Sequence, residues 1–264
     1  MLPNRTLIVK VLLAAAASVV ALLLATWLMF DPNQYKDEAE AAFLARTGRT
    51  LALEGDLSLS IVPWLAVETG AASIGNRDGF DDAPFASVRH TRVSVRLLPL
   101  LLRREARVGV VEVDGLDLNL QVADNGVDNW SDLLERAAKV QPEHLRRPDE
   151  EPRGPVDVAI AGLALENARL RLDDRKAGTR YEVRDWTLET GKLRAGQPFD
   201  LDTTLTLLAG DAPLARLEIE AVVDASQPGH IGVRDIDGNV VLPGAEPGTP
   251  EVRIGLRATE LALD

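Results

Sequence analysis

Three patterns of apolar and polar positions follow one another along the chain. The first is apolar all round: LIVKVLLAAAASVVALLLATWLMF, from Leu7 to Phe30. Beyond Lys10 it carries no charge, and Ser18 and Thr26 can bond their own helix carbonyls. At about 1.5 Å of rise per residue, such a helix covers a hydrocarbon core of about 30 Å with some tilt. The run therefore predicts one membrane-spanning anchor, with Leu7, Val11, Leu22, Leu24, Trp27 and Phe30 on it and the Trp27 indole at headgroup level. A cleaved signal peptide would have a shorter apolar core followed by a small-x-small site, whereas this run ends in Trp27, Leu28, Met29 and Phe30.

The second pattern is helical. Asp31 can cap, Pro32 fits a first helical position, and Tyr35, Ala39, Ala42 and Phe43 recur at three- and four-residue steps. A short amphipathic helix is predicted over about Asn33 to Thr47, with Gly48 closing it.

From Arg49 the period becomes two. Leu51, Leu53, Gly55, Leu57, Leu59 and Ile61 alternate with Thr50, Ala52, Glu54, Asp56, Ser58 and Ser60, which describes a strand with one wet face. Further strands are predicted at Val67 to Ile74, Ala86 to Leu97, Arg107 to Val113 and Leu116 to Val122, with Asp114-Gly115 as a hairpin turn between the last two. There Leu116, Leu118, Leu120 and Val122 face one way, and Asp117, Asn119 and Gln121 the other. Trp130 to Val140 reads as a short helix. Asn76 to Pro84 reads as a solvated turn, since Asp78, Asp81 and Asp82 lack the spacing of a calcium loop. The apolar knob Leu97 to Arg104 either packs on the sheet or dips toward a bilayer surface.

Gln141 to Pro155 is a proline- and charge-rich linker or crossover. Strands resume at Val156 to Asp174, Tyr181 to Asp185, Trp186 to Leu193, Phe199 to Leu208, Leu214 to Val223, Ile231 to Leu242 and Glu251 to Leu263. Leu201, Leu205 and Leu207 alternate with Asp202, Thr204 and Thr206, and Leu217 and Ile219 with Glu218 and Glu220. The expected organisation is an anchor over 1–30, a β region with two short helices over 31–140, the linker over 141–155 and a continuing β region over 156–264. Val111 to Leu120 weakly repeats in the stretch from Val158, as short meander units of an elongated, open-ended sheet do.

Charge orients this picture. Arg5 and Lys10 precede the apolar run, while Asp31, Asp37, Glu38 and Glu40 follow it against Lys36, so the N-terminus is expected in the cytoplasm and the body exported. A net charge of −12 argues against nucleic acid and against broad docking on anionic lipid. With 0 cysteines there is neither disulfide nor thiolate chemistry, and with 4% aromatics any ligand-facing surface is aliphatic. His90, His144 and His230 lie far apart, and no HExxH, GxSxG or Gly-rich phosphate loop is present. No enzyme activity, cofactor or metal is therefore expected. Nothing local marks a catalytic carboxylate pair among 41 acids, so an exported hydrolase stays a minor alternative.

At the start of the exported region the chain resembles the AsmA family of bacterial inner-membrane-anchored envelope proteins. The residues that carry this are DPNQYK at Asp31 to Lys36, TGRTLALEGDLSLSIVPWLAVETG at Thr47 to Gly70, IGNRDGF at Ile74 to Phe80 and APFASV at Ala83 to Val88. LLPLL at Leu97 to Leu101, VEVDGLDLNL at Val111 to Leu120 and DNWSDLL at Asp128 to Leu134 continue it, followed by ARLRLDD at Ala168 to Asp174 and YEVRDWTLETGKLRAGQPFDL at Tyr181 to Leu201. The resemblance implies a part in outer membrane biogenesis or phospholipid homeostasis, and kinship with bridge-like lipid transfer proteins, whose curved β-sheet forms an aliphatic groove. The expected fold is then mainly β: the anchor, the amphipathic helix and an elongated, curved antiparallel sheet forming an open groove. Its candidate lining is Leu51, Leu53, Leu57, Leu59, Ile61, Leu116, Leu118, Leu120, Val122, Leu201, Leu205, Leu207, Leu217 and Ile219. The expected partners are the membrane, phospholipid acyl chains and an envelope protein that extends the sheet. Family members are usually longer, so the chain is expected to be a short member, a fragment, or one part of a longer sheet. A closed β core that scaffolds other envelope proteins would show the same alternation and stays open at this point.

Overall fold

The computed structural model describes residues 31–60, 65–96, 106–139, 158–194, 196–224, 226, 231–244 and 250–263. The predicted anchor, the Leu97 to Arg104 knob and the Gln141 to Pro155 linker lie outside them, as does Ile61. Among the described residues no helix is long and apolar enough to cross a membrane.

The chain enters through a 3-10 turn, Pro32–Tyr35, capped by Asp31, whose Oδ1 accepts from the Asn33 N–H at 2.9 Å. Helix α1, Lys36–Thr47, follows and stops at Gly48, whose φ of 71° is the left-handed conformation glycine adopts without cost. The helix buries no residue, and Tyr35 and Leu44 are half exposed, so its apolar stripe is only lightly covered.

Among the described residues all strands join one open sheet of 15 strands. β1 (Leu51–Ala52) and β2 (Leu57–Ser60) are two halves of one bent strand; so are β3 (Leu65–Thr69) and β4 (Ala72–Ile74), and β5 (Ala86–Val88) and β6 (His90–Val95). β7 (Ala106–Asp114) and β8 (Asp117–Val122) form the fourth such pair. The halves sort into two ladders, β1-β4-β5-β8 and β2-β3-β6-β7, which meet again on the 17-residue β9 (Val158–Asp174). β10 (Thr179–Thr190), β11 (Leu193–Arg194), β12 (Phe199–Ala209), β13 (Ala212–Asp224), β14 (Ile231–Leu242) and β15 (Val252–Leu263) then extend the sheet in antiparallel steps. The segments on either side of the linker thus share one sheet. Helix α2 (Ser131–Lys139) follows β8.

Two expectations need correction. Asp114-Gly115 does not close a hairpin. β7 and β8 do not pair with each other; both run parallel to β9. Gly115 takes φ 65° but spends it on a kink, where its N–H bonds Glu166 O at 2.9 Å and the Arg169 N–H bonds Leu116 O at 2.7 Å. Opposite it, Asn167 sits at φ 51° and its Nδ2 donates to Asp114 Oδ1 at 2.7 Å. The sheet is therefore mixed, not wholly antiparallel. The second correction concerns strand continuity: Val67 to Ile74 and Ala86 to Leu97 each split into two, Tyr181 to Asp185 and most of Trp186 to Leu193 merge into β10, and Thr50 to Ile61 is not one strand either. It bends at Gly55, whose N–H bonds Ala71 O at 2.7 Å, while the Gly70 N–H bonds Asp56 O at 2.9 Å.

That crossing admits no side chain. A Cβ on Gly55 would lie 2.2 Å from Ala71 N, a backbone atom that cannot swing aside. Gly55→Ala is expected to cost about 1–3 kcal/mol through overpacking, read as a lowered Tm in thermal unfolding. Gly255→Ala, with nothing within 4 Å of the new Cβ, serves as the neutral control.

Candidate functional site

Residues directly opposite one another across paired strands share a face, so the register maps each face without further assumption. In β8 and β9, Leu118 opposes Leu170 and Leu120 opposes Leu172. From there Leu172 opposes Tyr181, Leu170 opposes Val183, Ala168 opposes Trp186 and Leu165 opposes Leu188. The same face continues through Val183 to Leu207, Leu207 to Ala215 and Leu205 to Leu217. It then runs from Leu217 to Val240 and from Val240 to Ile254. One aliphatic face therefore crosses seven consecutive strands, from β8 through β9, β10, β12, β13 and β14 to β15.

Nothing among the described residues covers it with a second layer. Of their aliphatic side chains larger than alanine, only Leu165 and Leu208 are buried. At the β15 edge Val252 is 54% exposed, Ile254 44% and Leu256 38%. A closed sandwich would bury such side chains between two sheets. Trp186 also lies on this face, its one polar group satisfied by the indole N–H donating to Thr203 Oγ1 at 3.0 Å.

The opposite face is charged. Asp117 and Arg171 pair at 2.9 Å, Arg169 and Glu182 at 3.2 Å, and Arg184 and Glu182 at 2.7 Å. The Arg184 hydrogen bond holds the Glu182 carboxyl below its ordinary value despite partial burial.

Of the fourteen candidate lining residues, the structure brings Leu118, Leu120, Leu201, Leu205, Leu207, Leu217 and Ile219 onto this one face. Val122 opposes Asp174 at the end of β8, and Leu116 sits at the kink before it. Leu57 and Leu59 lie in the separate β2-β3 ladder opposite Thr69 and Val67, and Leu51 opposes Ile74 in β1-β4. Leu53 falls in the bend between those ladders, and its N–H donates to Glu40 Oε1 at 2.8 Å. Sequence reasoning passed over the β9 leucines and Trp186, although the alternation Leu163, Leu165 and Leu170, Leu172 was there to read.

A second cluster was not foreseen. Arg49, 3% exposed, donates from Nη2 to Asp132 Oδ1 at 2.7 Å and from Nε to Oδ2 at 3.3 Å. It also reaches Asn129 O at 2.7 Å and Gly75 O at 3.3 Å, with its guanidinium 5.3 Å from the Phe85 ring centre. Asn129 is fully buried: its Nδ2 donates to Asn76 Oδ1 at 2.9 Å and Asn119 O at 2.8 Å, and its Oδ1 accepts from the Gln121 N–H at 2.9 Å. Its side chain is thus unavailable to a glycan despite the Asn-Trp-Ser sequence. Asp81 accepts from Gln121 Nε2 and, at 3.3 Å, from Asn119 Nδ2, so the loop, solvated at Asp78, Asp81 and Asp82 as expected, also lids the polar face of β8. Asp128 caps α2 through the Trp130 and Ser131 N–H groups at 3.0 and 2.6 Å. Burial pushes the Asp132 carboxyl up, but the Arg49 hydrogen bond and charge outweigh it and hold the group below its ordinary value. Among the described residues no group of three or more His, Cys, Asp and Glu is placed to hold a metal ion.

This cluster gathers residues from the TGRT, IGNRDGF, APFASV, VEVDGLDLNL and DNWSDLL segments. The AsmA family model matches residues 6–240. No curated protein and no solved structure matches the chain.

Proposed function

Because the chain belongs to the AsmA family, we propose that it is an inner-membrane-tethered periplasmic protein that binds or transfers phospholipid along an aliphatic β-groove. In this reading it supports outer membrane biogenesis and lipid homeostasis and performs no catalysis of its own. The single-pass anchor at Leu7 to Phe30 holds it, with the N-terminus in the cytoplasm. The observation that carries the reading is the aliphatic face shared by seven strands and covered by no second layer among the described residues. Large uncovered apolar patches are rare on proteins that bind nothing. Acyl chains laid on Leu170, Leu172, Leu205 and Leu217 would leave water at about 0.8 kcal/mol per methylene, while headgroups stay solvated.

The same face weakens the scaffold reading, which needs two apolar faces packed together. β15 pairs only with β14 among the described residues. In this account its outer edge is where a partner strand extends the sheet. The test is mass spectrometry of lipids that copurify with residues from Asp31 onward, expressed without the preceding run and purified without detergent. Phospholipid near one-to-one is expected. A monodisperse, folded, lipid-free protein would overturn the reading in favour of a scaffold.

A further inference from the structure

The aliphatic face has a charged end. Continuing the β9 register past Leu165, Arg194 opposes Ala159 on one side and Arg107 opposes Ala159 on the other. Lys192 precedes Leu193, which opposes Ile160, so it falls beside Ala161 on the same face as Arg194. On the next strand the Arg96 N–H bonds Arg107 O at 2.9 Å, which sets Arg96 beside Arg107. The alternation therefore puts Arg96, Arg107, Lys192 and Arg194 on the face that carries Leu163, Leu165 and Leu188, not on the charged face behind it. They come from the end of β6, the start of β7 and the short β11, and line one cavity of about 180 Å³ with Val108, Ala159 and Ala161.

This concentration of cations stands out in a chain of net charge −12. Small residues at Ala159 and Ala161 leave floor space between the long side chains. Forked guanidinium groups suit phosphate oxygens, which they bind through paired, charge-assisted hydrogen bonds. Resting on the lipid reading above, we propose that this basic end is a phosphate-binding site for a phospholipid headgroup whose acyl chains lie along the adjoining leucines. Charge and apolar surface are then arranged as they are in the ligand, and the headgroup fixes which way the lipid lies on the sheet.

The test uses the full chain in a neutral detergent and three probes: dioctanoyl phosphatidylglycerol, dioctanoylglycerol and inorganic phosphate. Native mass spectrometry reads binding to the wild type, to Arg107→Gln/Arg194→Gln and to Arg107→Lys/Arg194→Lys. Removing two charge-assisted donors is expected to weaken phosphatidylglycerol at least about tenfold, with the lysine pair in between. Dioctanoylglycerol binding should be equal in all three proteins, which also reports that the variants fold. Equal phosphatidylglycerol binding by wild type and glutamine variant would overturn the headgroup site while leaving the aliphatic reading intact. Failure of both lipids to bind any of the proteins would overturn the lipid reading itself. Inorganic phosphate binding as tightly as the lipid would make this a site for the free anion and overturn the headgroup assignment.

Discussion

Arg49→Ala is expected to destabilise the protein by about 3–5 kcal/mol, because it leaves the Asp132 carboxylate partly buried without its partner. The loss should exceed that of any exposed ion pair on the charged face, such as Arg257 with Asp237, where the median contribution is about 0–1 kcal/mol. Arg49 also satisfies Asn129 O and Gly75 O, which belong to α2's approach and to the loop after β4. Its removal therefore loosens the junction where α1, the bent strands and α2 meet. For a chain of this size the expected fall in Tm is roughly 10 °C, read by circular dichroism. Arg49→Lys keeps the charge but not the two-pronged geometry, and should fall between.

Acid should act on the same contact. The Asp132 carboxyl is held below its ordinary value of 3.8, so its contribution is fully present above that value. It is lost as the pH falls through the lowered folded value. Stability should be level from pH 7 to about 5 and decline below about 4, and Asp132→Asn should flatten that decline.

The second large effect is on ligand, not on folding. Leu205 and Leu217 oppose each other at the middle of the aliphatic face, and both are only half buried. Covering each with an acyl chain would contribute on the order of 1 kcal/mol, part of the about 1.5–3 kcal/mol of a full leucine burial. Leu205→Asn/Leu217→Asn is therefore expected to reduce retained phospholipid about tenfold or more, measured as lipid per protein after purification. Its Tm should change little, since these side chains already meet solvent. In a closed core the same pair would cost about 2–5 kcal/mol each. Thr204→Ala/Glu218→Gln, opposed in the same way on the charged face, should leave lipid unchanged.

The parts of the sheet that were legible in the sequence are those where alternation alone decides. Leu201, Leu205 and Leu207, and Leu217 and Ile219, take one face because successive strand residues point to opposite sides, and the register sets them together. Strand direction was not legible, because parallel and antiparallel strands alternate alike. Asp114-Gly115 illustrates this: a glycine free to adopt positive φ serves a kink as well as a hairpin, and only β9, far along the chain, decides which. Asn119 and Gln121 read as a wet face for the same local reason. They are 5% and 3% exposed because a loop some forty residues earlier folds over them. The basic end was invisible too, since Arg96, Arg107, Lys192 and Arg194 meet only through pairing.

Neighbouring residues on opposite faces provide the most direct measurement. A photoreactive p-benzoylphenylalanine placed at Leu217 or at Glu218 in the full chain, irradiated in cells, samples the two sides of β13 at one height. A phospholipid adduct is expected at Leu217 and none at Glu218. Adducts to lipid at both positions, or at Glu218 alone, would contradict an aliphatic face that carries the lipid.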